Sequence, residues 1–465
     1  MPKKLSWTLS LSFAALLLTS CASAPVEKAA LPSTPAAFKG AAAEGPAAPV
    51  QQAGAWWLVF SDPVLNDLVG RAMGSNTDIQ TAEAHLTQAK ALLKAARSSF
   101  WPQAGVGFTA ARTTDQQPYP KAANVDTLDL DLSYEADIFG RLAKASQAAK
   151  LDARSAEDIL RDTQLLVQSR VAQSYFALRA LDEDRAIVAE TLDAYRGSLK
   201  VTKSRFANGD VAELDVARLE TEVSATEAEA LALDQQRANL ANALAVLVGE
   251  PATTFDIKAA AWASQPWAGA VPVIPAGIPS DVLKRRPDVL AAEASMKAAE
   301  RRVGVARAAW FPSLTLTGSG GHASTDLDTL FDKGSQTWSL AAILSQAVFD
   351  GGRRNANIDY AKGGMDAAFA GYRQSVLVAF SDVEDQLSDL SYLRQQEAAE
   401  GRAVDASDRA LRQAQSLYRN GSSSQLEMLD AQRQQLAVRR QALRVRAAQY
   451  QSTVGLIRAL GGGWG

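Results

Sequence analysis

The chain of 465 residues has one cysteine, Cys21, so it has no intrachain disulfide to draw on. Its two histidines, His85 on a helix face and His322 in a loop, stand far apart without Cys or His partners at ligand spacing, which argues against a metal centre or other cofactor. No nucleophile motif and no phosphate-cradling glycine loop is recognisable, so an enzyme is not expected. Positive charge is not in excess either. Lys+Arg number 48 against 51 Asp+Glu, and loss of Lys3 and Lys4 with a leader deepens the deficit, which excludes nucleic acid as a partner. Aromatic residues make up only 7% while alanine is abundant, a composition that suits long, closely packed helices.

What the chain does have is a leader. Lys3 and Lys4 precede an apolar run through Leu16-Leu17-Leu18, too short to span a bilayer, and Thr19-Ser20-Cys21 follows. Residues 1–20 therefore read as a bacterial secretory signal, with Cys21 as an acylated first residue carrying diacylglycerol and an N-acyl chain. Residues 21–55, rich in Pro and Ala with little periodicity, read as an extended tether between the lipid and the body.

It also says nearly the same thing twice. Arg97-Ser98-Ser99-Phe100-Trp101-Pro102 recurs in the second half as Arg307-Ala308-Ala309-Trp310-Phe311-Pro312. Arg205-Phe206-Ala207-Asn208-Gly209 recurs as Leu417-Tyr418-Arg419-Asn420-Gly421, at an offset larger by two, so a whole unit is repeated with a small slip. Each unit reads as helix, two strands, very long helix and return helix. The first unit, 56–250, is expected to carry strands at about 104–113 and 125–137, a long helix at about 141–206 and a return helix at about 211–249. The second, 280–460, is expected to carry strands at about 313–325 and 335–349 and helices at about 354–418 and 424–460. A Pro-rich linker with Trp262 and Trp267 fills 251–279, and 461–465 is a tail.

Spacings of seven run through the long helices. Val171, Leu178, Leu192, Leu199 and Phe206 form one seam, Leu160, Val167, Leu181, Val188 and Tyr195 a second, and Phe369, Val376, Val383, Leu390, Val404, Leu411 and Tyr418 repeat the pattern. Arg185 and Glu397, separated by the same offset as Asn208 and Asn420, interrupt equivalent seams, which predicts a wetted or paired gap at one height. The strands alternate. Leu128, Leu130, Leu132 and Tyr134 fall on one face, and Thr127, Asp129, Asp131 and Ser133 on the other, giving a lipid-compatible face and a watery one. Four strands cannot close a water-holding barrel, and open edges are not tolerated in lipid, so the chain must share a barrel with other copies.

These features together resemble the TolC-like outer-membrane efflux proteins, in their lipoprotein branch. The resemblance rests on Trp56-Trp57-Leu58-Val59-Phe60-Ser61-Asp62-Pro63, on Phe311-Pro312 and Phe349-Asp350-Gly351-Gly352, and on the duplicated Asn-Gly turn. It implies an α+β membrane protein: a homotrimer whose chains give four strands each to a twelve-stranded barrel in the outer membrane, continued by a periplasmic α-helical barrel. It further implies a passive duct for drugs or other small molecules, served by a periplasmic adaptor and an inner-membrane pump of the resistance-nodulation-division type. A type I secretion duct and a non-channel structural or adhesive trimeric lipoprotein are the alternative readings.

The resemblance also implies a gate where the long helices turn back, at Asn208-Gly209 and Asn420-Gly421. Glu427 and Asp430, three apart on one helical face, fall on positions resembling acidic rings in the pore. Helix-start carboxylates complementing the helix dipole are the alternative account of the pair. Tyr418 and Asp215 fall on positions that tie neighbouring helices together in the family's closed state, while Ser423 stands where an arginine often completes that latch.

Overall fold

The computed structural model describes residues 33–40, 54–115 and 121–464; the signal, Cys21 and most of the tether lie outside them. Twelve main elements follow one another in the described chain: α1 (Pro63–Ser75), α2 (Thr77–Ser98), β1 (Gln103–Asp115), β2 (Lys121–Ala136), α3 (Arg141–Ala207), α4 (Glu213–Leu247), α5 (Pro279–Arg285), α6 (Pro287–Ala308), β3 (Ser313–Ser324), β4 (Gln336–Ser345), α7 (Arg353–Arg419) and α8 (Gln425–Ala459). The longer helices of the two units match in length. α2 and α6 have 22 residues each, α3 and α7 have 67, and α4 and α8 have 35. At 1.5 Å per residue each long helix runs about 100 Å.

Local chemistry sets the boundaries. The Asp62 and Asn76 side chains accept the first free N–H groups of α1 and α2. Asp137 does the same for α3, accepting from Leu142 at 2.9 Å and Ala143 at 2.7 Å. Strand pairing locates the slip in the repeat. Gln103 pairs with Ser133; Ser313 repeats Gln103 at the offset of Arg97 to Arg307, yet it pairs with Ser345, which repeats Ser133 at the larger offset of Asn208 to Asn420.

The four strands form one antiparallel sheet in the order β1-β2-β3-β4. Its rows sort by chemistry, because facing partners share a side of the sheet. Val106, Leu130, Gly320 and Trp338 align on one face, and Gly105, Asp131, Ser319 and Ser339 on the other. Val106 and Trp338 are more than three-quarters exposed in the single chain, a position that water alone would punish. β4 stops at Ser345 rather than near 349, because its partner β3 begins at Ser313, after Pro312, and offers no further ladder. β2 begins earlier than expected, since the hairpin stays zipped to Asp115 and Lys121. His322 is a strand residue paired with Leu128 and Gln336, not a loop residue.

The core lies at the waist, where the linker crosses the helices. Phe60, Phe176, Trp262, Trp267 and Tyr450 stack edge-on or tilted, with Trp262–Trp267 centroids 4.7 Å apart and Phe176–Trp267 centroids 5.0 Å apart. Asp62, only 1% exposed, is the polar centre of this cluster. Its Oδ2 accepts from Tyr175 at 2.5 Å and from Trp267 Nε1 at 2.7 Å. Burial, reinforced by this carboxylate, pushes the Tyr175 phenol well above its ordinary range. A second tie is ionic: Asp182 is clamped between Arg179 and Arg237, whose guanidinium groups also hold the linker carbonyls of Lys258 and Ile257.

One segment assigned to the tether is seated in this core. Phe38 is 5% exposed, and the backbone N–H groups of Lys39 and Gly40 donate to Glu384 on α7. A Cβ on Gly40 would stand 2.8 Å from that of Leu387, so only glycine fits. Gly40→Val should therefore loosen Phe38, and a gain in protease cleavage around residues 36–42 is the expected readout.

Candidate functional site

Each long helix ends in the same way. Gly209 and Gly421 take φ of +82° and +73°, a left-handed geometry that glycine adopts freely. The N–H groups of Asp210 and Ser422 then reach back to the carbonyls of Arg205 and Leu417, both at 2.9 Å, closing the helix end. The return helices start differently. Ser424 caps α8, accepting from the Glu427 N–H at 3.3 Å, whereas Ala212 before α4 has no side chain to offer. Ser424 and Glu427 thus stand in the Ser-x-x-Glu relation of a capping box.

Glu427 and Asp430 are both exposed on α8 at this tip. Asp430 is not alone: Arg433, one turn on, approaches it at 3.5 Å and also pairs with Glu222 on α4. The Glu222 hydrogen bond raises the Arg433 pKa, so its charge is fixed at any working pH. Beneath the pair lies Tyr195, fully buried with Leu219 and Leu429, its hydroxyl pushed up to about 12 by burial with Glu222 adding to the effect. The Tyr195 hydroxyl, Ser423 Oγ and Gln432 Oε1 are all buried without a partner here.

The two latch candidates are not brought together within one chain. Tyr418 turns to Arg205 at the end of α3, accepting its Nη1 at 3.3 Å with the guanidinium 5.9 Å from the ring centre. Asp215 faces Arg218 of its own helix at 3.7 Å, and its carbonyl lies 3.5 Å from Gln425 Nε2. Arg205, Arg433 and Glu222 belong to the site and were not singled out in the sequence. Arg433 was visible in principle at i+3 from Asp430; Glu222 was not, being 211 residues from its partner. A groove of about 400 Å³ runs beside the tip, lined by Gly197, Val201, Tyr418, Arg419, Met428 and Gln432.

The interrupted seams resolve differently in the two units. Arg185 is half-buried and ion-paired with Asp234 on the return helix. Glu397 is exposed, accepting from Gln449 Nε2 at 2.8 Å.

Known proteins share this fold. The family model of the outer membrane efflux proteins matches residues 68–250 and 278–462, one match for each structural repeat. The toluene efflux pump outer membrane protein TtgF of Pseudomonas putida is 33% identical over 414 residues, covering 88% of this chain and 85% of that one. The probable outer membrane lipoprotein SilC of Salmonella typhimurium is 31% identical over 414 residues, 88% of either chain. Among solved structures, the outer-membrane channel OprN superposes with a TM-score of 0.88 at 28% identity, covering 95% of this chain and 99% of that one. With a family match over most of its length and the channel fold throughout, the chain belongs to the outer membrane efflux protein family and is an outer-membrane efflux channel component.

Proposed function

We propose that three copies of the chain close a twelve-stranded barrel and continue it as a helical tunnel, forming a passive duct gated at the tip described above. One observation carries this reading: a four-stranded sheet with an apolar face and two open edges stands on helices about 100 Å long. The duct serves a tripartite system, receiving small molecules through a periplasmic adaptor from an inner-membrane pump of the resistance-nodulation-division type. Glu427 and Asp430 ring its periplasmic end, Tyr418 and Asp215 hold the closed state, and an acylated Cys21 fixes the assembly to the membrane.

The deciding experiment is single-channel recording of the purified full chain in planar bilayers, with its mass measured in detergent. Discrete ion conductance from a trimer is expected; a non-conducting trimer would favour a structural role, and a folded monomer would end the architecture. Asp215→Ala and Tyr418→Phe are expected to raise opening frequency severalfold with little change in ion selectivity, since each removes a contact worth about 1 kcal/mol. Cys21→Ser is expected to abolish acylation while the barrel still inserts. Mass spectrometry of the mature N-terminus checks it, and an unmodified first residue other than Cys21 would overturn the lipoprotein assignment.

A further inference from the structure

The two units treat one height of their long helices differently. Residues of α7 and α8 repeat those of α3 and α4 at the offset that takes Asn208 to Asn420. Arg394, Glu397, Arg446 and Gln449 therefore stand where Asp182, Arg185, Asp234 and Arg237 stand in the first unit. In the first unit these positions close on one another. Arg185 pairs with Asp234, and Arg237 reaches Asp182 at 2.6 Å and the linker carbonyl of Ile257 at 2.7 Å. The second unit reverses three of the four charges and replaces the last with an amide. Its members part: Glu397 accepts from Gln449, while Arg446 turns to the linker carbonyl of Ala268. A cavity of about 270 Å³ opens there, walled by linker residues 269–274 on one side and by Leu387, Leu390 and Leu456 on the other. Arg394 and Glu397, both exposed, stand at its rim.

Two polar atoms in the wall have no partner among the described residues. Gln449 is 2% exposed, and its Nε2 donates to the Leu393 carbonyl at 3.3 Å and to Glu397 at 2.8 Å. Those two acceptors fix which end of the amide is nitrogen, so the end left unpartnered and buried is Oε1, an acceptor. Arg446 lies one turn earlier on the same face of α8, and its Nε, a donor, is likewise buried and unpartnered. The equivalent Asp234 and Arg237 of the first unit are both paired.

We infer that this cavity binds a small apolar molecule headed by a hydroxyl group. One hydroxyl accepts from Arg446 Nε and donates to Gln449 Oε1, while the body of the molecule lies against the aliphatic walls. A carboxylate has no proton for Gln449 and is repelled by Glu397. An ammonium has no lone pair for Arg446 and is repelled by Arg394. The volume suits two fused rings, since a cavity of about 150 Å³ already admits benzene. The site is built within one chain and depends on neither trimer nor tunnel.

The test is titration of the purified full chain, held in an amphipathic polymer, with 2-naphthol, read by the probe's own fluorescence. Binding by the polymer alone is measured for each probe and subtracted. Saturable binding of 2-naphthol is expected. 2-Methoxynaphthalene keeps the accepting oxygen but has no proton to donate, and should bind at least about tenfold more weakly. Gln449→Met should weaken 2-naphthol about tenfold and leave 2-methoxynaphthalene unchanged, because only the hydroxyl uses Oε1. Val271→Trp, which fills the cavity from the linker side, should abolish binding of both, with thermal unfolding showing that the variant is folded. Equal affinity for the two probes in the unsubstituted chain, a comparison that needs no variant, would overturn the hydroxyl assignment. Undiminished 2-naphthol binding in folded Val271→Trp would overturn the location. Absence of saturable binding would overturn the site and leave the cavity to water alone.

Discussion

Replacing Asp62 with alanine is expected to destabilise the chain by roughly 3–7 kcal/mol. The carboxylate performs two tasks at once. Oδ1 caps α1, accepting from Val64 at 2.8 Å and Leu65 at 3.2 Å. Oδ2 receives the Tyr175 hydroxyl and the Trp267 indole, both buried. Loss of the cap accounts for about 1 kcal/mol, and each stranded buried donor for roughly 1–3 more. Asp62→Asn should fall between, because the amide still caps with its oxygen while its NH₂ cannot accept from the two donors. Chemical unfolding of the detergent-solubilised chain measures the ranking, and limited proteolysis within 251–279 reports whether the linker has come away. Equal stability of the alanine variant would mean that the aromatic stack alone holds the linker.

The second large effect is electrical. Under the trimer reading, Glu427 and Asp430 bring six carboxylates to the periplasmic end of the tunnel, where low-dielectric walls concentrate their field to several kT. Glu427→Ala with Asp430→Ala should lower the cation-to-anion permeability ratio by about tenfold and weaken block by multivalent cations. The structure adds an opposing arm. Arg433 stands 3.5 Å from Asp430, so Arg433→Gln should unmask that carboxylate and move selectivity the other way, toward cations. The same change frees Glu222 from α8 and should loosen the tip as well. Wild-type selectivity in the double alanine variant would leave Glu427 and Asp430 as nothing more than helix-start carboxylates.

Legibility followed the distance over which a signal had to act. Periodicity and punctuation are local, so the long helices and their glycine turns came within a residue or two of their observed ends. Pairs far apart in the chain left no such trace. Asp62 stood in the entry motif, but its partners lie 113 and 205 positions away and nothing local announces them. Phe38, a lone aromatic among Pro and Ala, had no neighbour with which to form a pattern, and read as spacer. At the tip, Glu427 and Asp430 were legible as a pair on one helical face. Arg205, which answers Tyr418, was not, because it reaches across from another helix; Arg433 lay within local reach of Asp430, but its second partner, Glu222, left no local trace.

The equality of the two hairpins, 67 and 35 residues in each unit, constrains how such a conduit can change its length. Both turns must reach one level for a ring of tips to close, so an insertion in one unit alone leaves a stepped end with gaps at every second tip. A tolerated extension would come as heptads added at matching heights to the descending and returning helices of both units, each lengthening the tube by about 10.5 Å while keeping every seam residue facing its neighbour. Reach across a compartment of given depth is thereby quantised: the chain grows by four heptads at a step, one for each helix of the two hairpins, or it does not grow.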